Sequence, residues 1–222
     1  MSEDTKSYLR GAFIAYEPGG YPNGDKRVLP FRFNPEVLQR GLQVEQGKTG
    51  SGSGGGKGKK GDGGADASSG TVKQSFKVKV RFDFDDRHQV SAELPAELGI
   101  LPELSALEGL LYPAENPADA NSDGEEPVKA KPQRPTILFV WGKKRVLPVR
   151  IKGMQINETM FNRELNPTRA EVDVSLEVVG EADVKNDKAA GDALSFTASK
   201  RTEMARLFLD KTSAQGTNIL PL

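Results

Sequence analysis

The chain has 222 residues, with 31 Lys and Arg against 31 Asp and Glu, one histidine and no cysteine. That inventory excludes a disulfide framework, a thiolate nucleophile, an iron–sulfur cluster, a cysteine-bearing zinc site and a two-histidine metal centre. Zero net charge argues against a protein that coats nucleic acid, which needs surplus cations to displace counterions. With 36% hydrophobic and 28% charged residues, part of the chain is expected to lie outside a packed core.

The first residues, Met-Ser-Glu-Asp-Thr-Lys, lack the basic start and apolar run of a secretory signal, and no window approaches the length of a membrane span. The protein is therefore expected to be made and kept in the cytoplasm. Lys26-Arg-Val-Leu-Pro-Phe-Arg-Phe33 reads as a strand, and Lys144-Arg-Val-Leu-Pro-Val-Arg-Ile151 matches it at six of eight positions. Two readings of this echo stand, a duplication or two strands meeting the same constraint. Pro30 and Pro148 cannot donate to a ladder, so each strand is expected to have an exposed edge there or to carry a bulge.

From Gly47 to Gly70, 11 of 24 residues are glycine, which predicts a flexible insertion with little to bury and a high ordering cost. Phe76 to Asp85 then alternates Phe76, Val78, Val80, Phe82 and Phe84 with charged residues, a strand with one wet face. Pro102 to Leu111 places Leu104, Leu107, Leu110 and Leu111 at helical spacing after a proline start, the one internal helix of a mainly β chain. Pro113 to Pro135 holds five prolines and five acids and is expected to be a second loop outside the core.

Ile137 to Trp141 is a short apolar run rich in β-formers, and Arg145 to Ile151 alternates Leu147, Val149 and Ile151 with other residues. The glycine turn Trp141-Gly142-Lys143-Lys144 between them predicts a hairpin. Ala170 to Val178 alternates as cleanly as the Phe76 strand, and Arg201 to Lys211 offers a helical stripe of Met204, Ala205, Leu207 and Phe208 near the C-terminus.

The chemical motifs are weak. Gly50-x-Gly52-x-x-Gly55 formally fits a dinucleotide fingerprint but has no helix after it to present a dipole to phosphate. Gly47-Lys48-Thr49 lacks the glycine a phosphate loop needs five residues earlier, where Leu42 stands. His88, beside Asp85 and Asp86, reads as a turn histidine rather than a general base, and Asp83, Asp85 and Asp86 as a solvated strand end rather than a calcium site. Lys57, Lys59 and Lys60 lack interleaved aromatics. Trp141 closes an apolar strand and suits a core or interface better than a sugar platform. The residues alone point to a binding rather than a catalytic β-rich protein, with no cofactor and no metal.

Phe31-Arg-Phe-Asn-Pro-Glu-Val-Leu-Gln-Arg40 resembles the F-x-F-N-P-E-x-x-x-R signature of tube-associated adaptor proteins of contractile injection systems, relatives of contractile phage tails. Leu138-Phe-Val-Trp-Gly142, Leu147-Pro-Val, Glu158-x-x-Phe161 and Asn166-Pro-Thr-Arg-Ala170 are similar to the second part of the same family, in the expected order. The resemblance spans Tyr8 to Val179. It implies a split β-barrel of the tail-tube kind with long disordered insertions, forming the adaptor domain over residues 1–179.

It further implies a structural subunit, not an enzyme. Six copies would form a ring joining the spike to the inner tube within the baseplate and initiating tube assembly. The partners would be spike, tube and baseplate proteins of one phage-tail-like particle, assembled in the cytoplasm, with no nucleic acid and no direct membrane insertion. The motif falls on Phe33, Asn34, Pro35, Arg40, Trp141, Gly142, Phe161, Asn166, Pro167 and Arg169. The Asn-Pro pairs suit turns, so these positions can maintain the fold or touch neighbours. Family members commonly carry a C-terminal LysM module, whose pattern is missing from residues 180–222. That stretch is expected to be a linker and short docking segment. The rival readings are a main inner tube protein and a carbohydrate-binding β-domain that uses Trp141.

Overall fold

The computed structural model describes residues 10–31, 33–45, 71–85, 94–112, 134–184 and 187–213. The Gly47 to Gly70 segment, residues 113–133, Lys57, Lys59, Lys60, Asp86 and His88 lie outside the described residues. The chain is mainly β. In chain order it contains β1 (Ala12–Tyr16), β2 (Lys26–Pro30), β3 (Leu38–Glu45), β4 (Thr71–Asp83), α1 (Leu101–Glu108), β5 (Thr136–Val140), β6 (Val146–Phe161), β7 (Pro167–Val178) and α2 (Lys188–Ser213).

The strands form one antiparallel sheet in the order β2-β1-β5-β6-β7-β4-β3. It is not a closed barrel, since β2 and β3 are its outer strands, but it curls strongly. Phe76 on β4 and Phe139 on β5 come from strands separated by two others, yet their ring centroids are 5.6 Å apart. The alternation seen in sequence now has its cause. Phe76, Val78 and Val80 of β4 and Ala170, Val172, Val174 and Leu176 of β7 are buried, and the charged residues between them face out.

The concave side is filled by Phe13, Phe31 and Phe139, with Phe13 edge-on to Phe31 at 5.1 Å. Each such burial stabilises by roughly 1.5–3 kcal/mol. Helix α1 closes the core with Leu104 and Leu107, starting with Pro102 in its first turn and ending at Gly109. A register irregularity between Ile151 and Gly153 interrupts the pairing of the long β6 with β7.

The repeated Lys-Arg-Val-Leu-Pro stretches occupy matching places. Each leads the second strand of a hairpin, β1–β2 or β5–β6, and in each its leucine stands opposite a phenylalanine: Leu29 opposite Phe13, Leu147 opposite Phe139. The two phenylalanines face one another where β1 pairs with β5. A shared edge constraint does not explain the echo, because β2 is an edge strand and β6 is internal. Nor does Pro148 mark an exposed edge or a bulge. It sits opposite Val179, where the β6–β7 ladder runs out, its carbonyl accepting from Val179 N–H at 2.9 Å, so the return bond it cannot donate falls on the last rung.

Beyond that point α2 takes over from β7. Thr197 Oγ1 accepts from Val146 N–H at 3.0 Å and donates to the Val146 carbonyl. Asp187 caps the helix, its carboxylate accepting from Ala190 N–H at 3.0 Å. Ala189, Ala190 and Ala193 are buried, and their small side chains let α2 lie close against the rest of the fold. The helix thus begins well before the Arg201 to Lys211 stripe seen in sequence.

Candidate functional site

The first motif block runs from β2 to β3. Phe31 enters the core, while its N–H donates to the Gly11 carbonyl at 2.7 Å. Asn34 completes the clamp, its side-chain oxygen accepting from Gly11 N–H at 2.9 Å. Gly11 allows this approach, since a Cβ there would meet the Phe31 ring at 2.7 Å. Phe33 is exposed and lies under the Arg81 guanidinium, 5.5 Å from its ring centroid. Pro35 follows, half-buried.

Arg81 links this block to the second one. Its Nη2 lies 3.1 Å from Asp83 Oδ2, and Arg169 Nε and Nη2 each reach the same oxygen at 2.7 Å. Asp83 Oδ1 accepts from Asp85 N–H. Burial alone pushes the Asp83 carboxyl up, but the hydrogen bonds from Arg81 and Arg169, the Asp85 N–H and the Arg169 charge outweigh it and hold it below its ordinary value. Asp83 is only 5% exposed, so at this residue the expected solvated strand end is instead a buried ionic hub, whereas Asp85 is exposed. The main partner of Asp83 stands 86 positions away, and no local spacing signals it.

The turn between β6 and β7 is built by two asparagines. Asn162 Oδ1 accepts from the N–H groups of Glu164 and Asn166, both at 2.9 Å. Asn162 and Asn166 both donate side-chain N–H groups to the Glu97 carbonyl, at 2.6 and 2.7 Å. The Pro167 carbonyl accepts from Ile100 N–H at 2.8 Å, which fastens the start of α1 to β7. Gly99 is required there: its φ is +56° and an added Cβ would lie 2.2 Å from the Pro167 oxygen. Phe161, at the end of β6, is exposed.

The remaining motif residues lie at another end of the core. Trp141 is half-buried, stacked on Phe139 at 5.9 Å and tilted against Phe31 at 6.3 Å. Gly142 takes φ +68° in the turn after it, where Trp141 N–H donates to the Arg145 carbonyl. Arg40 is exposed on β3, opposite Phe76. The motif residues therefore form no single pocket. Phe33 and Arg169 are joined through Arg81 and Asp83, Asn166 and Pro167 hold α1, and Trp141 seals the aromatic core. An open groove of about 980 Å³ runs along the charged outer face, lined by Phe33, Pro35, Lys79, Arg81 and Asp173 among others.

Among the described residues no group of three His, Asp or Glu side chains is placed to hold a metal ion, and no helix is long and apolar enough to cross a membrane. Residues 12–187 match the contractile injection system tube protein family, and the chain belongs to that family. The family is a structural tube protein of these particles, not an enzyme. Comparison with curated proteins gives no match.

Proposed function

We propose that this protein is the adaptor that joins spike to inner tube in the baseplate of a contractile injection system, forming a ring of six copies that initiates the tube. Membership of the tube protein family carries the part of the reading that makes it a component of such a particle. The open sheet supports it: β2 and β3 are outer strands with unpaired edges among the described residues, and assembly into a ring satisfies such edges by continuing the sheet into a neighbour. In that ring each curled sheet contributes one part of the split barrel expected from the sequence. The adaptor role over the main tube role is favoured by the long Gly-rich and Pro-rich acidic segments, for which a many-layered stack wrapped by a sheath has little room.

Within this reading Phe33 and Phe161, both exposed, meet neighbouring subunits, whereas Asn34, Asn166, Pro167 and Arg169 keep the fold. The second half of α2 docks to the baseplate, as its exposed Met204, Leu207 and Phe208 suggest. A gentle pull-down of the tagged protein from its native host, with mass spectrometry and negative-stain imaging, tests the proposal. Sheath, tube and spike proteins on rod-shaped particles are expected, with this chain scarce relative to tube. Equal abundance with tube would make it the main tube protein. An eluate without such particles would overturn the assembly reading and make glycan binding at Trp141 the next question.

A further inference from the structure

Three arginines from distant parts of the chain converge at the lip of the core. Arg145, in the turn before β6, holds its guanidinium 5.8 Å from the centroid of the Phe76 ring. Arg40 on β3 is the register partner of Phe76 and so projects from the same face. Arg201 lies one helical turn beyond Thr197, whose hydrogen bonds to Val146 hold α2 beside that turn. Burial first, and then the facing charges of Arg40 and Arg201, pull the Arg145 guanidinium below the ordinary arginine value.

Like charges gathered in this way repel unless an anion sits among them. Glu203, two positions from Arg201 on α2, is taken by Lys144 at 3.3 Å and Lys200 at 2.6 Å. Among the described residues no carboxylate pairs with Arg40, Arg145 or Arg201. Beyond Phe76 the same face of the β3–β4 ribbon exposes Leu42, Val44 and Val72. A cationic rim bordering an apolar strip beside β3, an outer strand among the described residues, is complementary to an acidic polypeptide rather than to a small inorganic anion.

We propose that Arg40, Arg145 and Arg201 form a carboxylate-binding site that receives acidic side chains of a neighbouring protein chain. The site rests on the assembly reading only for the source of that chain; the binding is a property of the isolated protein. The test uses the full chain and a fluorescent, end-blocked hexaglutamate peptide at low ionic strength, read by anisotropy. Saturable binding is expected. Arg40→Gln and Arg201→Gln, both at exposed positions, should each weaken it by about tenfold, while the matching lysine variants retain part of it.

Absence of peptide binding by the unaltered protein overturns the proposal, as does binding that survives both glutamine substitutions. Inorganic phosphate that binds as tightly as the peptide also overturns it and makes the cluster an oxyanion site. Unchanged thermal unfolding of the glutamine variants keeps a loss of binding from being a loss of fold. A pull-down without particles, alongside retained hexaglutamate binding, removes the assembly reading and leaves this one standing.

Discussion

Arg169 donates from both Nε and Nη2 to one oxygen of Asp83, the residue directly opposite it in the pairing of β7 with β4. The pair fastens the first rungs of β7 to the last of β4, and Arg81 carries the link on to Phe33. Replacing Arg169 by Gln removes two charge-assisted bonds to a buried acceptor and should cost roughly 1.5–3 kcal/mol. Urea unfolding measures this directly; a loss below about 0.5 kcal/mol, the range of ordinary surface substitutions, would show the pair to be ornamental. Arg169→Glu should be far worse, because it sets a second carboxylate against Asp83.

The same hub makes stability depend on acid. Asp83 in the folded chain releases its proton more readily than in the unfolded chain, whose value lies near 3.8. Its contribution is therefore complete above that value and disappears as pH falls through the lower folded one. The stability difference between the unaltered protein and Asp83→Asn should be widest near neutrality and shrink below pH 4. A difference that stays constant down to about pH 2.5 would remove Asp83 from the acid response.

The two Asn-Pro pairs predict opposite rescues. Asn34 uses its side-chain oxygen, so Asn34→Asp should keep the Gly11 amide protected from hydrogen exchange while Asn34→Ala exposes it. Asn166 uses its side-chain N–H on the Glu97 carbonyl, so Asn166→Asp should fare no better than Asn166→Ala, each losing about 1 kcal/mol. Equal behaviour of Asp at both positions would refute the clamp geometry.

Glycine substitutions separate strain from collision. Gly142 has a positive φ but open space around it, so Gly142→Ala should cost only the left-handed penalty of roughly 1–2 kcal/mol. Gly99→Ala adds a clash with the Pro167 carbonyl and should exceed it clearly in thermal unfolding. If the two variants melt alike, the close approach of α1 to β7 is wrong.

Thr197→Val preserves shape but withdraws both bonds to Val146. Limited proteolysis should then cut within α2 at a rate at which the unaltered protein stays whole. Equal resistance would mean that alanine packing alone anchors the helix.

The sequence reading reached the parts of this fold whose signals are local. The hairpin of β5 and β6 shows itself in an apolar run, a glycine and an alternating run, and β4 and β7 in strict period two. It missed β1, whose five residues lie between two strands and do not alternate in polarity: Phe13 and Ala15 are buried and Ile14 half-buried. It shortened α2 because the packed face of that helix is alanine and threonine, too small to register as a hydrophobic stripe. The asparagines were legible as turn formers. What each clamps, Gly11 or Glu97, depends on segments brought together only by folding. Asp83 looked solvated because Arg169, which gives it two of its three arginine contacts, comes from β7.

The internal position of β1, next to the edge strand β2, shapes how the chain is made. Strand β1 reaches the rest of the sheet only through β5, more than a hundred residues later in synthesis. The β1–β2 hairpin leaves the ribosome long before β5, its route into the sheet, with Phe13 and Phe31 waiting for Phe139 to emerge. During that interval the nascent chain carries two uncovered aromatic side chains and an incomplete sheet. Its yield in a cell should therefore be set by translation speed and chaperone supply as much as by the stability of the finished fold.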